Sequence, residues 1–401
     1  MNIFKIEKRK LTIIITVLID TLGVGIVVPV LQFFVSHLGG GPEWVMRLFV
    51  IFAVCSFFST PILGSLSDRI GRRPVLLASI FSTALGWIIF ALANNIWFLV
   101  IGRIIDGLAA GNFSTAQSYL VDISKDKNER TKNMGIIGSL FGIGFLVGPA
   151  LGGLLGDISP TLPFWTVGIM ATINLILAYL FLPETNHNRS TAKISFNPFS
   201  PLKKALINKK IIPIYFAWLM FAVAISIQQS VSALYLNKIF GFTSSAIGIL
   251  MAGQGLVIIF NQAYAIRKFW LVRFDEAKLT IMSALFIAVG SLLMIFPSFI
   301  SFIIGILLTS FSHSIFRTTT TSEVVGLAEP TQKGEVLGVM SSVMSLGMII
   351  GPLIAGIIYA KIVYGPYLIS AIILGIGFAV LYYDRKQLLK HAKIQEGVEV
   401  I

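Results

Sequence analysis

Charge is scarce in this sequence. Only 12% of its 401 residues are Asp, Glu, Lys or Arg, about half of the roughly 25% that water-soluble domains carry. Mean hydropathy is +0.87, so a soluble globular enzyme and a disordered chain are both excluded. Cysteine is nearly absent: Cys55 is the single one, and it sits in an apolar run, which rules out an intrachain disulfide and leaves a small core hydrophobe as its plainest role. No Gly-x4-Gly-Lys-Ser/Thr phosphate loop occurs, which excludes ATP drive within this chain. There is no His-Glu-x2-His, and four scattered histidines make no obvious metal site. No cofactor and no metal are expected, and no nucleophile constellation points to an enzyme. An ion gradient remains as energy source, at about 2.3 kcal/mol per charge per 100 mV.

What is present is hydrophobic sequence in long blocks. Apolar stretches lie near 11–34, 44–63, 75–93, 96–120, 134–155 and 163–182, and again near 211–236, 244–265, 279–296, 299–322, 335–359 and 366–383. Each approaches the ~20 residues that a helix needs to cross about 30 Å of hydrocarbon. The first follows Lys5, Lys8, Arg9 and Lys10 like a signal peptide, but it runs to about Phe34 with no small-x-small cleavage site, and reads as a retained helix. Turn chemistry at Gly39-Gly40-Gly41-Pro42, Asn94-Asn95, Ser159-Pro160 and Tyr364-Gly365-Pro366 marks short exits on one side.

Net charge is +13, from 31 basic and 18 acidic residues. With a cytoplasmic N-terminus and twelve spans, 26 of the basic residues fall on the inside, Arg47, Lys238 and Lys361 outside, and Arg103 and Arg317 within spans. The positive-inside rule then places both termini in the cytoplasm, and a miscounted helix would scramble the partition. The basic excess is topological, with no nucleic-acid partner expected.

Gly144-Phe-Leu-Val-Gly148-Pro149-Ala-Leu-Gly152-Gly153 returns as Gly347-Met-Ile-Ile-Gly351-Pro352-Leu-Ile-Ala-Gly356, an offset of 203 residues. At the same offset Asn128-Glu129-Arg130 falls on Thr331-Gln332-Lys333, and 64–73 falls on the basic stretch 267–276. The expected fold is therefore an all-α integral membrane protein with two parallel six-helix halves: 1–183, a hydrophilic cytoplasmic linker at 184–210, and 211–401. Parallel repeats of this kind, around a central cavity, are one transporter architecture.

Four motifs carry chemistry. Between spans two and three stands Gly64-Ser-Leu-Ser-Asp68-Arg69-Ile-Gly71-Arg72-Arg73-Pro74, a loop in which Asp68 can pair with arginines or meet a helix N-terminus. Span five carries Gly144-x3-Gly148-Pro149-x2-Gly152-Gly153, small residues that let helices pack closely around a proline that favours a kink. Asp20 lies about ten residues into span one, roughly 14 Å deep. A carboxylate there costs several kcal/mol unless neutralised or paired, and desolvation favours its protonated form. Arg103 and Asp106, three apart on span four, share a face. The plainer readings are, in turn, an ordinary basic loop, a packing stripe, an interhelical hydrogen bond and a self-neutralising pair.

Together these motifs resemble the major facilitator superfamily, and within it the drug:proton antiporters, most closely the tetracycline-exporter branch. The likeness rests on Ser67-Asp68-Arg69-Ile-Gly71-Arg72-Arg73-Pro74-Val-Leu-Leu77 and Asp157-Ile-Ser159-Pro160, on Asp20-x2-Gly23-x-Gly25-x3-Pro29, and on Arg103-x2-Asp106-Gly107-x3-Gly111. It implies a gating latch at Gly64, Asp68, Arg69, Gly71, Arg72 and Arg73, weaker in the second copy at 267–276, where the Gly-Asp pattern is lost. The same resemblance implies the antiporter motif of exporters at Gly144, Gly148, Pro149, Gly152 and Gly153, and proton coupling through Asp20, Arg103 and Asp106. Those exporters also carry acids inside the third and ninth helices; here 75–93 and 279–296 have none, and Gly86 stands near the third-helix position.

Candidate cavity residues are Asn112, Gln117, Gln228, Gln229, Gln254, Asn261, His313 and Arg317; a wet groove between helices needs such groups. Gln228 and Gln229 adjoin and cannot both face it, and Arg317 is placed to snorkel. The expected function is proton-coupled export of small, largely hydrophobic compounds by alternating access, with tetracycline-like and less polar substrates both open. A proton-coupled nutrient importer is the alternative. Expected partners are a small-molecule substrate, protons and the lipid bilayer; the chain is expected to be a monomer in a plasma or bacterial inner membrane.

Overall fold

The computed structural model describes residues 3–108, 110, 112–124, 126–186, 211–328 and 333–395, and no strand occurs among them. Gly111, Thr331-Gln332 and most of the 184–210 linker lie outside the described residues. Lipid offers backbone groups no partner, so each crossing must close its own hydrogen bonds as a helix. Among the described residues, twelve helices are long and apolar enough to cross: α1 Arg9–His37, α2 Pro42–Ile70, α3 Arg72–Ala91, α4 Ile96–Asp122, α5 Ser139–Ile158, α6 Leu162–Phe181, α7 Ile212–Phe240, α8 Ser244–Ile266, α9 Glu276–Leu293, α10 Phe299–Leu327, α11 Val336–Tyr359 and α12 Gly365–Gln387. Every apolar stretch read from the sequence corresponds to one of them. The α1–α2 turn uses Gly39 at φ +78°, followed by Pro42 in the first turn of α2, where a proline loses no helical hydrogen bond.

Two details depart from the sequence reading. The motif at 64–73 is not a loop: α2 continues to Ile70 and α3 starts at Arg72, so the connection is Gly71 alone. At the end of α8 the helix widens into a π-helix over Asn261–Trp270.

The chain forms two compact units, Met1–Pro198 with Ser232–Leu256, and Phe199–Val231 with Val257–Ile401. Residues 232–256 group with the first unit. In the first unit α1 lies along α5, and α3 lies against α4 and α6. Its core is aromatic: Phe164 stacks on Phe34 with centroids 5.1 Å apart and on Trp87 at 6.1 Å. In the second unit α9 packs on α10 and α12. Trp218 Nε1 donates to the Met340 carbonyl at 2.9 Å, and Trp218 stacks with Phe221 and Phe316. Lipid tails are as apolar as leucine, so close packing and interhelical hydrogen bonds hold these units together.

Candidate functional site

The α2–α3 junction is built around Arg72. Its guanidinium meets Asp68 Oδ1 at 2.5 Å, one helical turn back, donates to Ser67 Oγ at 2.6 Å, and reaches Asp122 Oδ2 at the end of α4 at 3.2 Å. Gly71 has φ +117°, a conformation that side-chain-bearing residues rarely adopt, and a Cβ there would collide with the Glu184 carboxylate. Glu184 follows α6 and caps α3: its oxygens accept from the backbone N–H of Arg72 at 2.8 Å and Arg73 at 3.2 Å, as well as Thr185 and Asn186. Burial pushes the Glu184 carboxyl up, but the N–H groups of Asn186, Arg72, Arg73 and Thr185 outweigh it and hold it below the usual range. Arg73 donates to the Tyr179 carbonyl at 2.9 Å. Arg69 is exposed, and nothing crowds Gly64. The sequence motif is thus the visible half of a network that Asp122 of α4 and Glu184 beyond α6 complete.

Inside the first unit, Asp20 on α1 accepts a hydrogen bond from Asn112 Nδ2 on α4 at 3.2 Å. Arg103 is 5% exposed and meets Asp106 at 3.4 Å. Three rings surround the guanidinium, Phe52 at 5.5 Å, Trp87 at 5.4 Å and Phe90 at 5.0 Å, each able to attract a cation through its face. Arg103 Nε and Nη2 and Asn112 Oδ1 have no hydrogen-bond partner among the described residues. Gly86 on α3 explains how the pair fits: a Cβ at Gly86 would sit 3.2 Å from Asp106 Cβ and 3.1 Å from the Gly102 carbonyl. The third-helix position without an acid is the space beside the α4 carboxylate. Two carboxyl groups and an aromatic-lined guanidinium thus lie within this unit, with polar atoms of Arg103 and Asn112 left unpartnered among the described residues.

The glycines of α5 serve close approach on both sides. A Cβ at Gly148 would lie 2.9 Å from Gly25 Cα, at Gly144 2.5 Å from Thr21, and at Gly152 2.5 Å from the Ile26 carbonyl. Gly153 abuts the Ser244 carbonyl, and the Pro149 carbonyl abuts Gly248. Asp157 then accepts from Ser244 Oγ at 2.5 Å and from the Ser245 N–H at 3.3 Å, holding the start of α8. The packing reading of this motif is therefore realised, on α1 and on α8 alike.

The cavity candidates divide. Gln228 is buried and donates to Ser291 Oγ on α9 at 2.7 Å, and fully buried Asn261 donates to Ser314 Oγ at 2.6 Å and the Phe311 carbonyl at 2.8 Å. These two tie helices together. His313 is half-buried with its ring 5.1 Å from Phe221; Gln117, Gln229 and Gln254 are half-buried, and Arg317 is exposed. Sequence reasoning passed over Asp122, Glu184 and the pair Glu323–Arg385, which meets at 2.6 Å in the second unit with Thr280 at 3.3 Å from Glu323. Counting basic residues by side ignores acids, and the acids are what pair them.

Twelve apolar crossings, internally repeated, with buried ionisable groups and glycine-mediated helix contacts, define a polytopic membrane transporter. The chain belongs to the Major Facilitator Superfamily: the model of that family matches residues 13–269 and 229–399. Among similar proteins, the class H tetracycline resistance protein of Pasteurella multocida is 28% identical, across 97% of this chain and 99% of that one. Multidrug resistance protein 2 of Bacillus subtilis is 26% identical across 95% and 97%. The crystal structure of the human organic anion transporter MFSD10 superimposes with a TM-score of 0.71 at 21% identity, over 94% and 99% of the two chains, a likeness of fold. The protein is a multi-pass membrane transporter of small molecules and not an enzyme.

Proposed function

We propose that this transporter is a proton-coupled exporter of small, largely hydrophobic drug-like compounds, working by alternating access without a cofactor, as a monomer with both termini in the cytoplasm. The observation that carries the reading is the grouping of Asp20, Asn112, Arg103 and Asp106 inside one unit, with donors left over. An intramembrane carboxylate held by a single amide can change charge state as substrate enters or leaves, which is what coupling requires. The relatives named for tetracycline and multidrug resistance support export over nutrient import. We infer that Asp106, beside Gly86, supplies from α4 the carboxylate that the tetracycline-exporter resemblance places on the third helix. On this reading Asp20 takes a proton from outside and releases substrate, and Arg72 with Asp68 and Asp122 latches the cytoplasmic side.

The test is resistance in a bacterial host stripped of its own exporters, across tetracyclines, fluoroquinolones and lipophilic cations. The proposal predicts a raised inhibitory concentration for at least one class, abolished by a protonophore. Unchanged resistance to every class, with the protein present in the membrane, would contradict it.

A further inference from the structure

A groove of about 420 Å³ lies in the second unit between α9 and α10, lined by Leu279 and Phe286 on one side, by Ile304, Phe311 and Ile315 on the other, and by Trp270 at one end. Phe286 and Ile304 are 37% and 51% exposed, so the groove opens at the surface of this unit. From Ile315 to Ile304 the helix rises about 16 Å, close to half of the ~30 Å hydrocarbon core, the depth of one leaflet. Almost no polar atom lines it: the Ser283 hydroxyl is turned back onto the Thr280 carbonyl at 3.0 Å.

The Trp270 end is fixed and basic. Trp270 Nε1 donates to Asn261 Oδ1 at 3.0 Å, and Asn261 is bolted to α10 through Ser314 and the Phe311 carbonyl. The π-helix that carries Trp270 is thereby held against α10. Beside it in the chain are three exposed cations, Lys268, Arg273 and Lys278. Arg273 stacks over Phe269 at 4.1 Å and Lys278 over Phe274 at 5.4 Å, and neither forms an ion pair among the described residues. Two acids share this surface: Glu276 accepts from Ser322 Oγ at 3.0 Å, and Asp275 stands at the N-cap of α9.

We propose that this groove is a binding site for an anionic phospholipid. One acyl chain lies between α9 and α10, the indole of Trp270 sits at the level of the glycerol backbone, and Lys268, Arg273 and Lys278 meet the phosphate. Among the described side chains three cations stand against two acids, an excess of one, and a cation close to an anionic surface contributes about fivefold in binding. The site is independent of transport direction and of the driving ion.

The test is native mass spectrometry of the detergent-solubilised full chain, titrated with phosphatidylglycerol, with phosphatidylcholine of the same chains, and with glycerol 1-phosphate. Wild type is expected to bind phosphatidylglycerol about fivefold more tightly than phosphatidylcholine and to ignore glycerol 1-phosphate. Replacing Lys268, Arg273 and Lys278 together by Gln removes the preference but keeps the chain-driven binding, while Ile304→Trp, at an exposed groove position, weakens both lipids. Arg273→Gln alone gives the same direction at a smaller ratio should the triple variant fail to fold. Equal binding of the two lipids by wild type, a preference that survives the Gln substitutions, or competition by glycerol 1-phosphate overturns the proposal.

Discussion

Replacing Gly148 by alanine adds one methyl group where α5 meets bare backbone of α1. The new Cβ would stand 2.9 Å from Gly25 Cα, 3.0 Å from the Leu22 carbonyl and 3.2 Å from the Gly25 carbonyl carbon. All three are backbone atoms, so no side chain can swing aside and the two helices must separate. Overpacking of this kind costs about 1–3 kcal/mol. Gly64, inside the last third of α2, is the internal control: nothing lies within 4 Å of its Cβ position, and Gly→Ala in a helix gains about 0.5–1 kcal/mol. The two substitutions are chemically identical and are expected to differ in sign. The assay is equilibrium unfolding in mixed micelles with increasing SDS mole fraction, followed by tryptophan fluorescence. Gly148→Ala at or above wild-type stability, or Gly64→Ala as the more damaging of the two, would refute the reasoning that backbone contact is what these α5 glycines provide.

Three further outcomes follow from named contacts. Glu184 has its folded-state carboxyl held below the usual range, so its contribution is complete at neutral pH and is lost as pH falls from about 4.5 through the lower folded value. Glu184→Gln should lose that acid dependence in unfolding measured between pH 3 and 7, and an unchanged pH profile would show that the cap contributes nothing. Arg72→Lys cannot reach Asp68, Asp122 and Ser67 together, since an ammonium lacks the guanidinium fork; export should fall about tenfold or more with the protein still folded, and full activity in resistance assays would remove Arg72 from the latch. Gln228→Ala should cost about 1 kcal/mol of stability by deleting the bond to Ser291, with the pattern of compounds exported unchanged; an altered pattern would return Gln228 to the substrate path.

Much of this architecture was legible in the sequence because lipid makes span length and basic-residue placement strict requirements. The glycines and arginines of the motifs stood out in the sequence by type and spacing, and their contacts reach distant residues. What the sequence hid was partnership. Nothing local in Pro183-Glu184-Thr185 tells that its carboxylate caps a helix more than a hundred residues earlier, and nothing around Gln228 distinguishes a helix tie from a cavity wall. Gly86 was visible as a missing acid, but only the crossing of α3 and α4 shows Asp106 beside it. The π-helix at Asn261–Trp270 was equally invisible, and its first residue, Asn261, is tied to α10.

The central claim is that Asp20 carries the coupling proton. Inverted membrane vesicles with an imposed pH gradient, wild type against Asp20→Asn, test it most directly, by following proton release when an exported compound is added. The account predicts release on addition in wild type and none in the variant, with the variant still binding the compound. Equal release by both proteins would contradict it.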